Sequence, residues 1–172
     1  LMTRLYPKPD VIFNALHGRY GEDGCVQGLL DILGIPYTHS GQLASALAMH
    51  KPMAKKLFAA AGIPVARHEI KSQQDIICGN VMPTPYVIKP VNEGSSVGVH
   101  VIRKGMHEPL FTESGWPFGD RVMVEEYIAG REMTVSVMGD RALGVTEITT
   151  SHGFYDYDAK YAEGGSNHVI PA

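Results

Sequence analysis

Tyr86-Val87-Ile88-Lys89-Pro90-Val91-Asn92-Glu93-Gly94-Ser95-Ser96-Val97-Gly98-Val99-His100-Val101 is the stretch on which the reading of this chain turns. Period-two apolar residues flank Asn92-Glu93-Gly94-Ser95-Ser96. The segment therefore predicts a strand from Tyr86 to Val91 and another through Val97, Val99 and Val101, joined as a hairpin with a glycine-serine tip. Glycines let consecutive backbone N–H groups face one concavity, and two serine hydroxyls add donors, which is the donor set a polyphosphate needs. Lys89 stands at the end of the first strand, within reach of the same anion. The arrangement is not a P-loop, which requires Gly-Lys-Ser/Thr and a strand passing into a helix. A plain Gly-Ser hairpin tip has the same local sequence, and Lys89 shifts the reading towards phosphate.

On the N-terminal side, Val11-Ile12-Phe13 reads as the end of a short buried strand leading into the loop His17 to Gly24. Val26, Leu29, Leu30 and Leu33 then recur at i, i+3, i+4 and i+7, with Asp23 as N-cap and Gly34 and Pro36 as stop signals, so a helix is expected there. Ser40 is expected to cap a second helix through Leu43 and Leu47. Pro52 sits where a third would place its first residue, and that helix runs to Gly62. The two Gly-Ile-Pro endings, at Gly34 and Gly62, predict the same C-cap chemistry used twice. Lys51, at the third helix's N-terminus, opposes the macrodipole unless an anion is bound there. It is either a solvated surface lysine or half of an anion site. His17 follows a strand, in the kind of crevice where open α/β sheets bind ligands, and is otherwise an ordinary hydrogen-bonded histidine.

On the C-terminal side, Lys104 to Ser114 suggests a short helix and Trp116 to Asp120 a loop. Strands are predicted over Val122 to Ile128, Glu132 to Met138 and Ala142 to Thr149, with Ala129-Gly130-Arg131 and Gly139-Asp140 as hairpin connections. Glu125 and Glu126 are adjacent on a strand and so point to opposite faces. One carboxylate could accept from a ribose hydroxyl, or the group could be edge charges acting against aggregation. Ser151 to Ala172 reads as one long irregular loop. Its run Tyr155-Asp156-Tyr157-Asp158-Ala159-Lys160-Tyr161 suits closure over a charged ligand, or is surface decoration.

The 172 residues carry 15 Lys+Arg against 18 Asp+Glu, a formal charge of −3, so no basic footprint for nucleic acid or an anionic membrane is present. At 44% apolar the chain is not disordered by composition. The longest apolar stretch, Leu57 to Ala66, contains Gly62 and Pro64 and is shorter than the ~18 residues that suggest a span, so a soluble product is expected. Cys25 and Cys78 lie far apart with no CxxC spacing. Neither a disulfide scaffold nor a zinc site is indicated, and a reducing, cytoplasmic setting with no secretory leader is expected.

In chain order, His17-Gly18-Arg19-Tyr20-Gly21-Glu22-Asp23-Gly24, Lys89-Pro90 with Glu93-Gly94-Ser95-Ser96-Val97-Gly98, and Phe154-Tyr155-Asp156-Tyr157-Asp158-Ala159-Lys160-Tyr161 resemble the D-alanine–D-alanine ligases of the ATP-grasp superfamily. The resemblance covers nearly the whole chain and is weakest over Ser72 to Thr84 and Lys104 to Asp120. It implies a chain of α/β and α+β character with the ATP-grasp fold. The end of an N-terminal α/β substrate-binding domain would occupy 1–39, a central ATP-grasp domain 40–125, and the start of a C-terminal ATP-grasp domain with its ω-loop 126–172.

The same resemblance implies ATP-dependent joining of two D-alanines through a D-alanyl phosphate, for peptidoglycan precursor synthesis in the bacterial cytoplasm. By motif, Lys51 and Lys89 would hold ATP phosphates, and the loop Glu93, Gly94, Ser95, Ser96 and Val97 would fold over them. Glu125, Glu126, Tyr127 and Ile128 would line the adenine pocket, Glu132 would meet the ribose, and Tyr155 and Lys160 would complete the nucleotide site. His17 would sit near the first D-alanine, and Tyr161 would touch substrate and latch onto the Ser95 loop. Ser95, Lys160 and Tyr161 would be catalytic.

The family's Mg2+, replaceable by Mn2+, would be held by residues outside 1–172, as would the glutamate that orients the first D-alanine. The piece alone is therefore expected to be inactive. D-alanine and ATP would be its partners, with a homodimer expected for the complete protein and no nucleic acid or membrane. His50, followed by Pro52, departs from the Asp that commonly precedes the lysine at position 51. A D-alanine–D-lactate ligase is the near alternative, against which Ala159-Lys160-Tyr161 argues, and a non-catalytic nucleotide-binding module is the distant one.

Overall fold

The structure, a computed structural model, describes residues 5–79, 81–105, 119–150 and 157–172. Three helices come first: α1 (Cys25–Leu33), α2 (Gln42–Met49) and α3 (Lys51–Ala60). The expected C-cap repetition is present, since Gly34 (φ 62°) and Gly62 (φ 76°) both adopt the left-handed conformation. In each case the following isoleucine N–H reaches back five residues, Ile35 to the Leu30 carbonyl and Ile63 to the Phe58 carbonyl, both at 2.9 Å. This is the Schellman pattern, and it satisfies carbonyls the helix end leaves open.

The helix starts differ from expectation. Gly24 is the N-cap of α1, at φ 92°, while the Asp23 carboxylate accepts the Cys25 and Tyr20 N–H groups at 3.1 and 2.9 Å from one position earlier. Gly41, not Ser40, caps α2. α3 begins at Lys51, one residue before Pro52, and the His50 ring accepts the Met53 N–H at 3.2 Å. That is the job an aspartate does at an N-cap, so the departure at His50 keeps the helix start where Lys51 requires it.

Two antiparallel sheets follow. The first combines β1 (His68–Ser72), β2 (Tyr86–Pro90), β3 (His100–Ile102) and β4 (Arg121–Glu126) in the order β1-β4-β2-β3, with α4 (Gln73–Ile77) after β1. Ser72 and Asp75 form a capping box at the start of α4, a signal of the S-x-x-D kind that the sequence reading passed over. Strand alternation divides this sheet into two unlike faces. Tyr86 and Ile88 lie opposite Glu126 and Val124, and Pro90 opposite Val122. With Ile76, Met82 and Ile102, the side chains Tyr86, Ile88, Val122 and Val124 form the buried core, where each large side chain contributes about 1.5–3 kcal/mol. The other face carries Val87, Lys89, Met123 and Glu125, since Val87 pairs with Glu125 and Lys89 with Met123.

The second sheet, β5 (Glu132–Met138), β6 (Arg141–Thr149) and β7 (Asn167–Val169), is ordered β5-β6-β7. The short helix α5 (Tyr157–Tyr161) precedes β7. The predicted Gly139-Asp140 hairpin joins β5 to β6.

Several expectations are corrected. Ala129-Gly130-Arg131 is not a hairpin turn, because β4 and β5 belong to different sheets. Val97 lies in a turn, Val99 lies outside any strand, and the second hairpin strand starts only at His100, since the left-handed serines before them bend the chain out of an extended path. Val11-Ile12-Phe13 reduces to one parallel bridge, Ile12 to Tyr37. Val11 and Phe13 are exposed, because no described sheet covers them. The stretch after Ser151 is not one loop but contains α5 and β7. The expected helix over Lys104 to Ser114 and the loop from Trp116 fall largely outside the described residues.

Gly24 supplies a test of this packing. A Cβ there would sit 2.6 Å from the Gln42 carbonyl oxygen at a φ of 92°, whereas at Gly62 it would meet nothing within 4 Å. Gly24→Ala is expected to lower thermal stability by about 2–4 kcal/mol through strain plus backbone displacement, and Gly62→Ala by only about 1 kcal/mol through strain alone. Thermal unfolding of the two variants checks the ranking.

Candidate functional site

The polar face of the first sheet looks onto α3. Lys51 and Lys55 are one helical turn apart and share a side of α3. Lys89 from β2 and Glu125 from β4 share the facing surface. Glu125 sits between two cations: its Oε1 accepts from Lys55 and its Oε2 from Lys89. The Lys55 and Glu125 side chains are only 10% and 12% exposed, so both charges have lost most of their hydration and depend on each other. Burial pushes the Glu125 carboxyl up, but the hydrogen bonds and charges of Lys55 and Lys89 outweigh it and hold the group below its ordinary value.

Lys51 is tied to the loop after β2 at both ends. Its backbone N–H donates to the Val91 carbonyl at 3.1 Å, and its Nζ donates to the Glu93 carbonyl at 2.5 Å. Burial first, and the neighbouring Lys89 charge second, push its ammonium down to about 8, against the pull of Glu93 and Glu125. Three ammonium groups thus converge around one carboxylate. The excess positive charge suits an anion with several charges, and the sequence reading missed Lys55, its most buried member. The i+4 spacing from Lys51 is the signal that would have found it.

The loop carrying Glu93, Gly94, Ser95, Ser96 and Val97 is held in an unusual shape. Ser95 (φ 52°) and Ser96 (φ 58°) are both left-handed without being glycine, a conformation that persists only where surroundings impose it. The Val97 N–H closes a turn on the Gly94 carbonyl at 3.1 Å. Gly94 abuts the His17 loop, since a Cβ on it would lie 3.3 Å from Gly18 Cα and 3.4 Å from Glu22 Oε2. Glu22 Oε2 also accepts the Gly18 N–H at 2.5 Å. Gln27, fully buried in α1, donates to the Gly21 carbonyl at 2.9 Å and faces His39 Nδ1 at 3.0 Å, which fastens the same loop from beneath.

At the tip of the serine loop, Ser95 Oγ and Tyr161 Oη are 2.8 Å apart. The Tyr161 ring packs against Tyr157 at a tilt of 47° (4.7 Å between centroids) and meets His17 edge-on at 6.5 Å. His17, Ser95 and Tyr161, which lie far apart in sequence, are therefore neighbours. Lys160 is close enough for its charge to act on Glu132, whose carboxyl is raised by burial and partly lowered by that lysine.

The remaining expected residues sit along the chain between the two sheets. Glu126 is exposed and donates its N–H to the Arg67 carbonyl at 2.9 Å, and Tyr127 donates to the Pro85 carbonyl at 3.3 Å. The Tyr127 ring lies 5.5 Å from the Arg103 guanidinium, and Ile128 is exposed. Tyr155 lies outside the described residues.

A cleft of about 370 Å3, lined by Glu22, His39, Lys51, Glu93, Gly94 and Ser95 among others, joins Lys51 to the loop, while Lys55 and Lys89 lie outside its lining. A larger one of about 900 Å3, near Arg19, His50, Asn92 and Arg121, reaches Glu93 but is lined by neither Lys51 nor Ser95. Size alone does not locate the chemistry. Among the described residues no group of three or more His, Cys, Asp or Glu side chains is placed to hold a metal ion. Ammonium groups and loop amides fit an anion and do not fit Mg2+.

Comparison with known proteins adds an independent line. Residues 57–172 match the family described as D-ala D-ala ligase C-terminus, and residues 3–40 the one described as D-ala D-ala ligase N-terminus. The chain is 58% identical over 165 residues to a D-alanine–D-alanine ligase of Rhodospirillum rubrum, covering 96% of this chain and 55% of that protein. It is 62% identical over 167 residues to that of Parvibaculum lavamentivorans, covering 96% and 54%. The chain thus spans about half the length of the curated relatives it matches. Among solved structures it is similar to the D-alanine–D-alanine ligase from Bacillus anthracis complexed with ATP (TM-score 0.72, 31% identity, 99% of this chain and 56% of that one). It is also similar to VanG D-Ala:D-Ser ligase from Enterococcus faecalis (TM-score 0.75, 36% identity, 96% and 50%).

The depressed Lys51 ammonium gives a pH signature. Its folded value, about 8, lies below its ordinary 10.5, so between those limits the unfolded chain binds more protons. Lys51's unfavourable contribution to stability therefore shrinks as pH rises through that window. An anion has the opposite preference, since it favours the charged lysine. Binding of inorganic tripolyphosphate above pH 8 is expected to take up a proton and to weaken as pH rises towards 10.5. Calorimetry in buffers of different ionisation enthalpy measures this uptake, which Lys51→Met should abolish.

Proposed function

This chain belongs to the D-alanine–D-alanine ligase family, and on that premise we propose that the protein carrying it uses ATP to join two D-alanines into D-alanyl-D-alanine, a peptidoglycan precursor, in the bacterial cytoplasm. The observation that carries the reading is the convergence of Lys51, Lys89 and the Glu93 to Val97 loop, with Tyr161 set on Ser95. A dense set of positive and N–H donors beside a loop closed by a tyrosine is what phosphoryl transfer asks of a protein, because its catalysis is positioning plus charge stabilisation.

In this reading Lys51 and Lys89 hold the ATP phosphates, and the loop Glu93, Gly94, Ser95, Ser96 and Val97 covers them. Glu125, Glu126, Tyr127 and Ile128 line the adenine side, Glu132 accepts from the ribose, and Tyr155 and Lys160 complete the nucleotide contacts. His17 and Tyr161 bound the first D-alanine. Its carboxylate oxygen attacks the terminal phosphorus, ADP leaves, and the second D-alanine's amine then attacks the acyl carbon and expels phosphate. Lys160, Tyr161 and Ser95 stand where the transferred phosphoryl group would pass. Mg2+, replaceable by Mn2+, would be held with the nucleotide by carboxylates other than Glu125, which the lysines already occupy. The complete protein would act as a homodimer, built of units that fall in this chain at 1–39, 40–125 and 126–172.

The likeness to a D-Ala:D-Ser ligase makes the second substrate the point to test. Supplied with ATP and D-alanine, the full-length protein is expected to release phosphate and form D-alanyl-D-alanine in preference to the D-serine or D-lactate products. A preference for D-lactate at neutral pH would reassign it as a depsipeptide ligase, and no D-alanine-dependent phosphate release would leave only a nucleotide-binding module. Lys89→Ala is expected to cut kcat/KM for ATP by about 100-fold or more. Unchanged turnover would remove Lys89 from the site.

A further inference from the structure

The role assigned to Lys89 leaves a difficulty that Lys55 resolves. Lys89 is paired with Glu125 Oε2, yet to hold a phosphate it must be able to leave that carboxylate. Glu125 is largely buried, and a buried carboxylate stripped of its partner is strongly unfavourable. A lone Glu125–Lys89 pair would therefore keep the lysine away from the nucleotide.

Lys55 changes this balance. Its ammonium occupies Glu125 Oε1, so only Oε2 is offered to Lys89. We propose that Lys55 is a positioning residue for nucleotide binding: by neutralising Glu125 from α3, it keeps the carboxylate as an aiming post for Lys89 while leaving Lys89 free to be drawn onto a phosphate. The inference rests on the reading of Lys89 as a phosphate ligand. Lys55 itself points to the carboxylate and is not given a phosphate contact. Its place on α3 one turn beyond Lys51 couples the two. The helix that delivers Lys51 to the Glu93 carbonyl also delivers Lys55 to Glu125. Both contacts are thus set by one rigid element.

Without Lys55, both oxygens of Glu125 turn to Lys89 and hold it more tightly. The amine of Lys89 then becomes less reactive, which is the reverse of what general loosening of the fold produces. Brief acetylation of the full-length protein, with the Lys89 peptide quantified by mass spectrometry, reads this directly and needs no nucleotide. Relative to the unmodified sequence, Lys55→Met is expected to slow Lys89 labelling about fivefold and raise the ATP dissociation constant by about tenfold. Lys55→Arg is expected to leave both near their starting values. Lys55→Met combined with Glu125→Gln, which removes the charge that captures Lys89, is expected to restore Lys89 labelling.

Unchanged or faster Lys89 labelling in Lys55→Met would overturn the proposal, as would failure of Glu125→Gln to reverse the effect. If the unmodified protein binds no ATP, the functional reading fails by itself, while the labelling series still decides whether Lys55 governs Lys89.

Discussion

A largely buried carboxylate between two lysines organises the central part of this molecule. Glu125 lies on the second of the two faces that strand alternation creates in β4, opposite the apolar one. Val122 and Val124 go into the core while Met123 and Glu125 face α3. Because neither Lys55 nor Glu125 retains much hydration, each would be costly to leave unpaired, by about 3–5 kcal/mol if one partner were removed. The ion group therefore constrains where α3 sits on the sheet. Once α3 is placed, Lys51 arrives at the loop after β2 without further adjustment, its backbone and side chain both bonded to that loop.

The serine loop is constrained from the opposite side. Gly94 rests against Gly18, Glu22 holds Gly18, and Gln27 holds Gly21. The N-terminal helical part and the first sheet thus meet at backbone distance, and the tolerance for larger side chains there is small. Left-handed serines at 95 and 96 are the conformational result, and they aim the Ser95 hydroxyl at Tyr161. Each such residue costs about 1–3 kcal/mol, which the contacts on both sides of the loop must offset.

Legibility in the sequence followed the range of the interactions involved. The Gly-Ile-Pro helix ends, the Gly139-Asp140 hairpin and strands β2, β5 and β6 depend on a few neighbouring residues, and all were readable. Val97 and Val99 misled because alternation is also compatible with a turn. The link Ala129-Gly130-Arg131 misled because a short glycine-containing connection looks the same whether the next strand pairs with the last one or starts another sheet. His50 departs from the Asp common before the lysine, and the structure shows its ring doing the capping. α4 was overlooked although Ser72 and Asp75 announced it.

By itself the sequence determined the family, through three motifs in order, and with them the residue types those motifs carry: lysines, a glycine-serine loop and a tyrosine-rich segment. These are local, and spacing alone can display them. Only the tertiary structure decided which lysine faces which carboxylate. Glu125 and Lys55 are 70 positions apart, Ser95 and Tyr161 are 66 apart, and no periodicity reports such a distance. Their meeting depends on the sheet order β1-β4-β2-β3 and on burial strong enough that a charge must find its partner or remain unsatisfied.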